Sequence, residues 1–415
     1  MIDAVATIGA GQAAAVAVRT MRRAGFDGRI EMIGDEPDRP YQRPPLSKEY
    51  LASGDDEGLF LLPERWCEEN DVRLRLGQPA VRISPADAGV ELADGTLVAA
   101  DAVLIATGGR PRRLPAAAGE RICYLRTIAD SDRLRSHLRP GARLIVVGGG
   151  FIGSEVAATA QGLGCQVTVV EALAAPLLPV LGPVVGAACA RLHQAHGVDL
   201  RLAESVAEVS ESAAGVVVTT SSGARIEGDV LVAGIGCQPN VEVAARSGLA
   251  VGNGVIVDEH CRTSIPNVLA AGDIANHWHP LFGERMRVEH FDNASKQAAA
   301  AARSLLGRGG PYADPHWFWS DQYDVNLQYA GHANGADELV VRGSLDDLDF
   351  CAFYLRDGLL RAAFGVDRGA EVMAAKELIA GQVRVPAGVL ADEDADLAEL
   401  AEAALLDESL EEELA

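Results

Sequence analysis

No Cys-x-x-Cys pair occurs in this chain. Its seven cysteines, at 67, 123, 165, 189, 237, 261 and 351, are scattered, which argues against a redox-active dithiol, an iron–sulfur cluster or a zinc knuckle, and no metal site is expected. Isolated thiols of this kind are most often small buried hydrophobes in a reducing cytoplasm, so a cytoplasmic location is expected. The chain also has no uninterrupted apolar run of membrane-spanning length, although 48% of its residues are hydrophobic, so no membrane association is expected. The apolar start from Ala4 to Val18 follows Asp3 rather than a basic residue and is broken by Gly9 and Gly11, which reads as strand and turn, not as a signal peptide. Basic excess is missing too. The net charge is -23, and from Asp392 to the end eleven acidic residues stand without a basic one, leaving -23 + 11 = -12 for the rest. Nucleic acid is therefore not an expected partner. Within that tail Leu397, Leu400, Ala404 and Leu405 fall at roughly helical spacing and predict a short acidic helix.

At 415 residues the chain is too long for one ordinary core, and two or three domains are expected. The most informative stretch runs from Arg143 to Glu171. An apolar run, Leu144 to Val147, suits a strand buried on both faces; Gly148-Gly-Gly150-Phe-Ile152-Gly153 follows; an Ala-rich, proline-free run from Ser154 to Leu163 suits a helix; and Gln166 to Glu171 suits a second strand. In such a unit Gly148 makes the tight turn, Gly150 lets a pyrophosphate approach the backbone, and Gly153 lets the helix close on the strand. The strand, helix and terminal carboxylate at the expected separations make this a dinucleotide site rather than a glycine-rich loop. Glu171 selects the dinucleotide. It can accept hydrogen bonds from both ribose hydroxyls of NAD but would face the extra phosphate of NADP, and no Lys or Arg follows until Arg191. One like-charge contact at about 4 Å costs about 1 kcal/mol in water and up to about 4 at an effective dielectric near 20.

A second signature opens the chain. Val5 to Ile8 reads as a strand, then comes Gly9-Ala-Gly11-Gln-Ala-Ala14, a helix to about Ala24, and a strand from Arg29 to Ile33 ending in Gly34-Asp35-Glu36. Ala14 replaces the third glycine, where a small side chain suffices, and Asp35 sits nearest the ribose-binding position. Two dinucleotide folds in one chain suggest two nucleotides that must meet, and the commonest such pair is a flavin with its nicotinamide donor. Three further strand ends suit flavin contacts or domain crossings: Thr107-Gly-Gly109, Ile235-Gly-Cys-Gln-Pro239 and Ala271-Gly272-Asp273.

The segments Arg39-Pro-Tyr-Gln-Arg-Pro-Pro-Leu-Ser-Lys48-Glu-Tyr-Leu51, Ala106-Thr-Gly-Gly-Arg-Pro-Arg112 and Trp317-Phe-Trp-Ser-Asp-Gln-Tyr323 carry a resemblance across nearly the whole chain. It resembles the FAD- and NADH-dependent ferredoxin reductases of the putidaredoxin reductase type, which serve bacterial haem monooxygenases and ring-hydroxylating dioxygenases. The resemblance implies an α/β fold with two Rossmann-like, glutathione-reductase-like domains and a C-terminal α+β interface domain. The expected partition is an FAD domain at 1–110 and 243–322, an NADH domain at 111–242, and a third domain at 323–415. From Val325 on, Leu339 to Arg342, Phe350 to Leu355 and Leu359 to Phe364 read as antiparallel strands with Asp357-Gly358 as a hairpin turn, and Ala370 to Ala380 as a helix ended by Gly381.

Carried over residue by residue, the resemblance implies FAD contacts at Ala14, Asp35, Lys48, Val81, Arg126, Asp273 and Phe291, beside Gly9 and Gly11. For NADH it implies Gly150, Ile152, Gly153, Glu155, Glu171, Gly236 and Glu289, beside Gly148. Lys48, Glu155 and Trp319 are implied at the reacting rings, with a Lys48–Glu155 ion pair as an expectation. Plainer readings stand next to these. Ser47 can be a helix N-cap with Lys48 a solvated first-turn residue, Glu155 a favourable first-turn acid, and Trp317 and Trp319, two apart on one strand face, core aromatics.

The implied activity is electron transfer from NADH through FAD to a two-iron two-sulfur ferredoxin, with a monomer and a homodimer both open. Like net charge would slow encounter with an acidic ferredoxin. Two basic stretches could dock it: Arg110 to Arg143, with nine arginines against Glu120, Asp130 and Asp132, and residues 284–308, with Arg285, Arg287, Lys296, Arg303 and Arg308 against Glu284, Glu289 and Asp292. Rubredoxin reductase and an NADH-responsive flavoprotein sensor remain as alternatives. A disulfide or peroxide reductase is disfavoured because residues 40–50, where the resemblance would put its cysteine, contain none.

Overall fold

The computed structural model describes residues 2–84, 89–115 and 118–403. The chain divides into two compact units. One is the chain up to Gln42 with Asp56–Arg110 and Cys237–Asp314; the other is Arg43–Asp55, Pro111–Gly236 and everything described from Pro315 onward.

The first unit is built on a parallel five-stranded sheet in the order Val268–Ala270, Ala102–Ile105, Ala4–Ile8, Arg29–Ile33, Val72–Arg75. Ala4–Ile8 is buried along its whole length and lies in the middle, as an apolar strand without polar alternation must. One face is covered by the helices Gln12–Arg23 and Phe291–Leu305, whose Ala13, Ala14, Ala17, Ala294, Ala298 and Ala301 are buried, so that small side chains let the two helices close on each other and on the sheet. The other face packs Ile8, Ile33, Val103 and Ile105 against Ile83, Val90, Leu92 and Val98 of a small antiparallel sheet. Each such residue withdrawn from water is worth about 1.5–3 kcal/mol.

The second unit repeats the plan. Its parallel sheet runs Asp199–Leu202, Gln166–Glu171, Arg143–Val147, Val230–Ala233, Ile122–Cys123, with the helix Phe151–Gly162 following the central strand. Its last part is an antiparallel sheet in the order Trp317–Gln322, Val325–Gly331, Leu359–Val366, Asp349–Arg356, Glu338–Ser344, backed by the helix Gly369–Ala380. The 322/323 boundary expected from sequence falls in the turn between the first two of these strands. Asp357 and Gly358 both take positive φ, 53° and 72°, as a two-residue hairpin turn requires. The Gly369 helix stops at Gly381, but the left-handed residue is Gln382, at φ 50°, while Gly381 itself keeps φ -78°.

The acidic tail does begin a helix. Residues 397–403 are helical, and Asp396 caps it by accepting from the Ala398 and Glu399 N–H groups at 2.9 and 3.1 Å. Its buried face is Leu397 with Ala401, whereas Leu400 is exposed; Ala404 and Leu405 lie outside the described residues. Among those residues no helix is long and apolar enough to cross a membrane.

Candidate functional site

In the second unit the strand Arg143–Val147 runs straight into the glycine turn. Gly148 adopts φ +101° and its N–H donates to the Val170 carbonyl at 2.9 Å, folding the chain over the sheet edge. A Cβ on Gly153 would lie 2.0 Å from the Gly148 carbonyl oxygen, so only glycine lets helix and strand approach this closely. By contrast, a Cβ on Gly150 would meet nothing nearer than the Gly234 oxygen at 4.0 Å. Gly150 is the N-cap of the Phe151 helix and offers no side-chain acceptor, leaving the first N–H groups of that helix for a ligand. Ile152 is 46% exposed at the same mouth. Glu171 closes the site. Its carboxylate accepts from the Gly149 N–H at 2.6 Å and from the Leu173 N–H at 2.7 Å, which pins it beside the turn. This cradle fits a dinucleotide pyrophosphate with a ribose at Glu171.

The first unit holds the matching cradle. A Cβ on Gly9 would lie 2.1 Å from the Ala106 oxygen, one on Gly11 would meet nothing within 4 Å, and Ala14 is fully buried where helix meets sheet. Gly11 caps the Gln12 helix without a side-chain acceptor. Asp35 is exposed just beyond the second strand, while its neighbour Glu36 takes the Tyr41 hydroxyl. Gly272 seats its N–H on Gln297 Oε1 at 2.8 Å and so positions Asp273, whose carbonyl accepts from Arg287 at 3.1 Å. Val81 sits at a break in strand register between Ala80 and Arg82, the kind of bulge that re-aims a side chain. Phe291 starts the Phe291–Leu305 helix, and Glu289 pairs with Arg287 just before it. Between them burial pushes the His290 imidazole down to about 4, against a smaller upward pull from Asp273, so it stays neutral near pH 7. The cradle's open N-cap and exposed carboxylate fit a second dinucleotide.

Lys48 and Glu155 meet within the second unit, at 2.9 Å between Nζ and Oε2. Glu155 lies past the first turn of its helix and is only 4% exposed, so it is a buried partner and not the first-turn acid of the plainer reading. Lys48 is no first-turn residue either: it stands between a 3-10 turn, Pro44–Ser47, and the short helix Glu49–Ser53. Ser47 makes no cap. Its hydroxyl goes to Glu155 Oε2, and the Ser320 hydroxyl reaches Oε1 at 2.7 Å. In the sequence Ser47 reads as a cap and Ser320 carries no separate signal, although each lies inside a string that carries the resemblance. Trp319 stacks on Trp317, with ring centroids 5.4 Å apart on the strand Trp317–Gln322. The Arg126 N–H donates to Asp130 at 3.2 Å ahead of the Ile128 helix, and Gly236 takes φ +97° with its carbonyl receiving the Arg112 N–H at 2.9 Å.

The basic stretches are thinner than their charge counts. Arg110 pairs with Glu242 at 2.6 Å, Arg135 with Asp132 at 2.7 Å, and Arg143 with Asp229 at 3.1 Å. In the other stretch Lys296 is shared between Asp292 and Asp314, at 3.0 and 2.6 Å, and Arg287 is held by Glu289. Six of the seven cysteines are buried, and burial pushes the Cys189 and Cys261 thiols up to about 12, far from thiolate chemistry.

Comparison with known proteins agrees with this geometry. Residues 3–298 match the family described as pyridine nucleotide-disulphide oxidoreductase, and residues 317–401 match the one described as reductase C-terminal. Rhodocoxin reductase of Rhodococcus erythropolis is 41% identical, over 95% of this chain and 93% of its own. The ferredoxin–NAD(+) reductase component of the anthranilate 1,2-dioxygenase system of Burkholderia cepacia is 40% identical, over 94% of this chain and 97% of its own. A chain in the crystal structure of the covalent putidaredoxin reductase–putidaredoxin complex superposes with a TM-score of 0.94 at 37% identity, covering 97% of this chain and 99% of that one. With two dinucleotide cradles and a reductase C-terminal domain in one polypeptide, the chain belongs to the pyridine nucleotide-disulphide oxidoreductase family and is closely related to the ferredoxin–NAD(+) reductases.

Proposed function

We propose that this protein is an NADH-dependent ferredoxin reductase of the cytoplasm, passing electrons from NADH through FAD to a two-iron two-sulfur ferredoxin that feeds a haem monooxygenase or ring-hydroxylating dioxygenase. The observation that carries this reading is the pair of open glycine cradles in a chain whose thiols are mostly buried and protonated: electrons taken from NADH have no dithiol to go to. Residues 1–110 and 243–322 hold FAD, 111–242 hold NADH, and 323–415 form the interface domain. Gly9, Gly11, Ala14, Asp35, Lys48, Val81, Arg126, Asp273 and Phe291 bind FAD. Gly148, Gly150, Ile152, Gly153, Glu155, Glu171, Gly236 and Glu289 bind NADH. When bound, FAD supplies the conversion between two-electron and one-electron transfer that no side chain here provides. The chain's own part is placement: the cradles fix the two pyrophosphates, Trp319 shields the rings from water, and Lys48 sets a positive field at the flavin. An anaerobic titration tests the reading. The purified protein is expected to be yellow and to bleach with one equivalent of NADH; a colourless protein that takes up no FAD would contradict it.

Glu171 sets the choice of nucleotide. Pinned by two backbone N–H groups, it cannot swing away from a 2'-phosphate. Wild type is expected to favour NADH over NADPH in kcat/KM by at least about 5-fold, and Glu171→Gln to raise NADPH use about 10-fold. Equal use of both by the wild type would sink this assignment.

For ferredoxin docking, two cations of the second basic stretch have no carboxylate partner among the described residues: Arg303, in the last turn of its helix, and Arg308, which reaches the Ala24 carbonyl. Reversing both, Arg303→Glu and Arg308→Glu, is expected to lower kcat/KM for ferredoxin about 10-fold and to flatten its salt dependence, with NADH-to-ferricyanide activity unchanged. Unchanged ferredoxin turnover would move docking elsewhere.

A further inference from the structure

A carboxylate buried to the extent of Glu155 must be paired and its remaining lone pairs filled, because a buried charge without partners is costly. Lys48 fills part of that need. Its ammonium has three donors; one goes to Glu155 Oε2 and one to the Pro44 carbonyl at 3.2 Å, and the third has no partner among the described residues. How the other side of the carboxylate is satisfied decides where the ammonium sits.

Two serines from distant parts of the chain do this. Ser320 donates to Oε1 at 2.7 Å while accepting from Gln322 Nε2 at 3.1 Å. A hydroxyl has one proton, so with Gln322 donating to it the Ser320 proton is committed to Glu155. Ser47 donates to Oε2, the oxygen that also meets Lys48. The Pro44 carbonyl, at 3.3 Å, competes weakly for that proton because the carboxylate is nearer and charged. Ser47 is itself gripped from behind: Thr159, one helical turn beyond Glu155, donates its hydroxyl to the Ser47 carbonyl at 2.8 Å. Ser131 holds the adjoining Leu46 carbonyl at 2.9 Å. The loop that carries Lys48 is thus fastened at successive residues, and each oxygen of Glu155 has its own hydroxyl.

We propose that Ser47 and Ser320 are positioning residues that hold the Glu155 carboxylate, and through it the Lys48 ammonium, in the place from which its positive field would act on a bound flavin. This rests on the NADH-to-FAD reading. It gives the serines of the Pro-Pro-Leu-Ser-Lys and Trp-Ser-Asp-Gln strings a task that neither a glycine cradle nor a helix cap accounts for. Removing either hydroxyl leaves more uncompensated negative charge beside Lys48. Reduced flavin gains negative charge, so its formation becomes harder.

The test uses the FAD-loaded full-length protein and three variants, Ser320→Ala, Ser320→Thr and Thr159→Val, the last loosening Ser47 without touching the carboxylate. Two readouts are taken: the flavin midpoint potential by dye equilibration, and anaerobic reduction by NADH in stopped flow. For Ser320→Ala the midpoint potential is expected to move to a more negative value and the limiting reduction rate to fall about 5-fold, with the NADH concentration at half-saturation within about 2-fold of wild type. Ser320→Thr keeps the hydroxyl and is expected to restore both values, and Thr159→Val to shift them in the same direction by less. Wild-type potential and rate in Ser320→Ala, or no rescue by threonine, would overturn the proposal while leaving the NADH-to-FAD reading intact. A wild-type protein that NADH does not bleach would overturn that reading first.

Discussion

Lys48→Met is expected to destabilise the protein by about 3–5 kcal/mol and to slow NADH-driven reduction of the flavin about 10²-fold. The reason is a stranded charge. Glu155 is 4% exposed and the Lys48 side chain 12%, so taking away the ammonium leaves a buried carboxylate with two hydroxyls and no cation. The double variant Lys48→Met/Glu155→Gln separates the two effects. With no net charge left to bury, and with the amide oxygen still accepting from Ser320 while the amide NH2 donates to Ser47, whose proton can turn to the Pro44 carbonyl, most of the stability should return. The rate should not, because the positive field is still missing. Chemical denaturation of the three proteins alongside stopped-flow reduction reads both quantities. A single variant as stable as wild type would show that the pair is not buried in solution.

The second large effect is at Gly153. Adding one methyl group as Gly153→Ala places a Cβ 2.0 Å from a main-chain carbonyl oxygen, which no rotamer change can relieve. Helix and strand must separate, and the N–H groups that face the pyrophosphate move with the helix. An overpacking cost of about 3 kcal/mol falling on the bound state corresponds to a loss of about 10²-fold in NADH affinity. FAD content should be unchanged, since the Gly9–Ala14 cradle is a separate turn in the other unit. Gly162, at the end of the same helix, is the control. A Cβ there meets nothing within 4 Å, so Gly162→Ala should bind NADH within about 2-fold of wild type and gain a few tenths of a kcal/mol in stability. Equal NADH binding by both variants would contradict the assignment of the turn.

What could be read from the sequence was what local chemistry forces. The glycines at 9, 148 and 153 are demanded by atoms within the same strand–turn–helix unit or its neighbouring strand, so spacing alone located them. The Asp357-Gly358 hairpin is equally local. The serine partners of Glu155 were not legible. Ser47 lies 108 residues before it and Ser320 lies 165 after it, and a hydroxyl next to a lysine reads as a cap until the fold shows its direction. Solvation was also hidden. A count of arginines between 110 and 143 suggested a basic surface, but three of them are paired with carboxylates, two of those carboxylates lying far along the chain at Asp229 and Glu242. In the tail a helix forms over residues 397–403, but its buried face differs from the expected one: Leu397 turns inward with Ala401, not with Leu400.

The most direct test of the account is NADH-driven reduction of cytochrome c by the purified yellow protein, with and without a two-iron two-sulfur ferredoxin from an oxygenase system. A large ferredoxin-dependent rise is expected with NADH and little with NADPH. Flavin bleaching by NADH with no gain from any of several ferredoxins would contradict it.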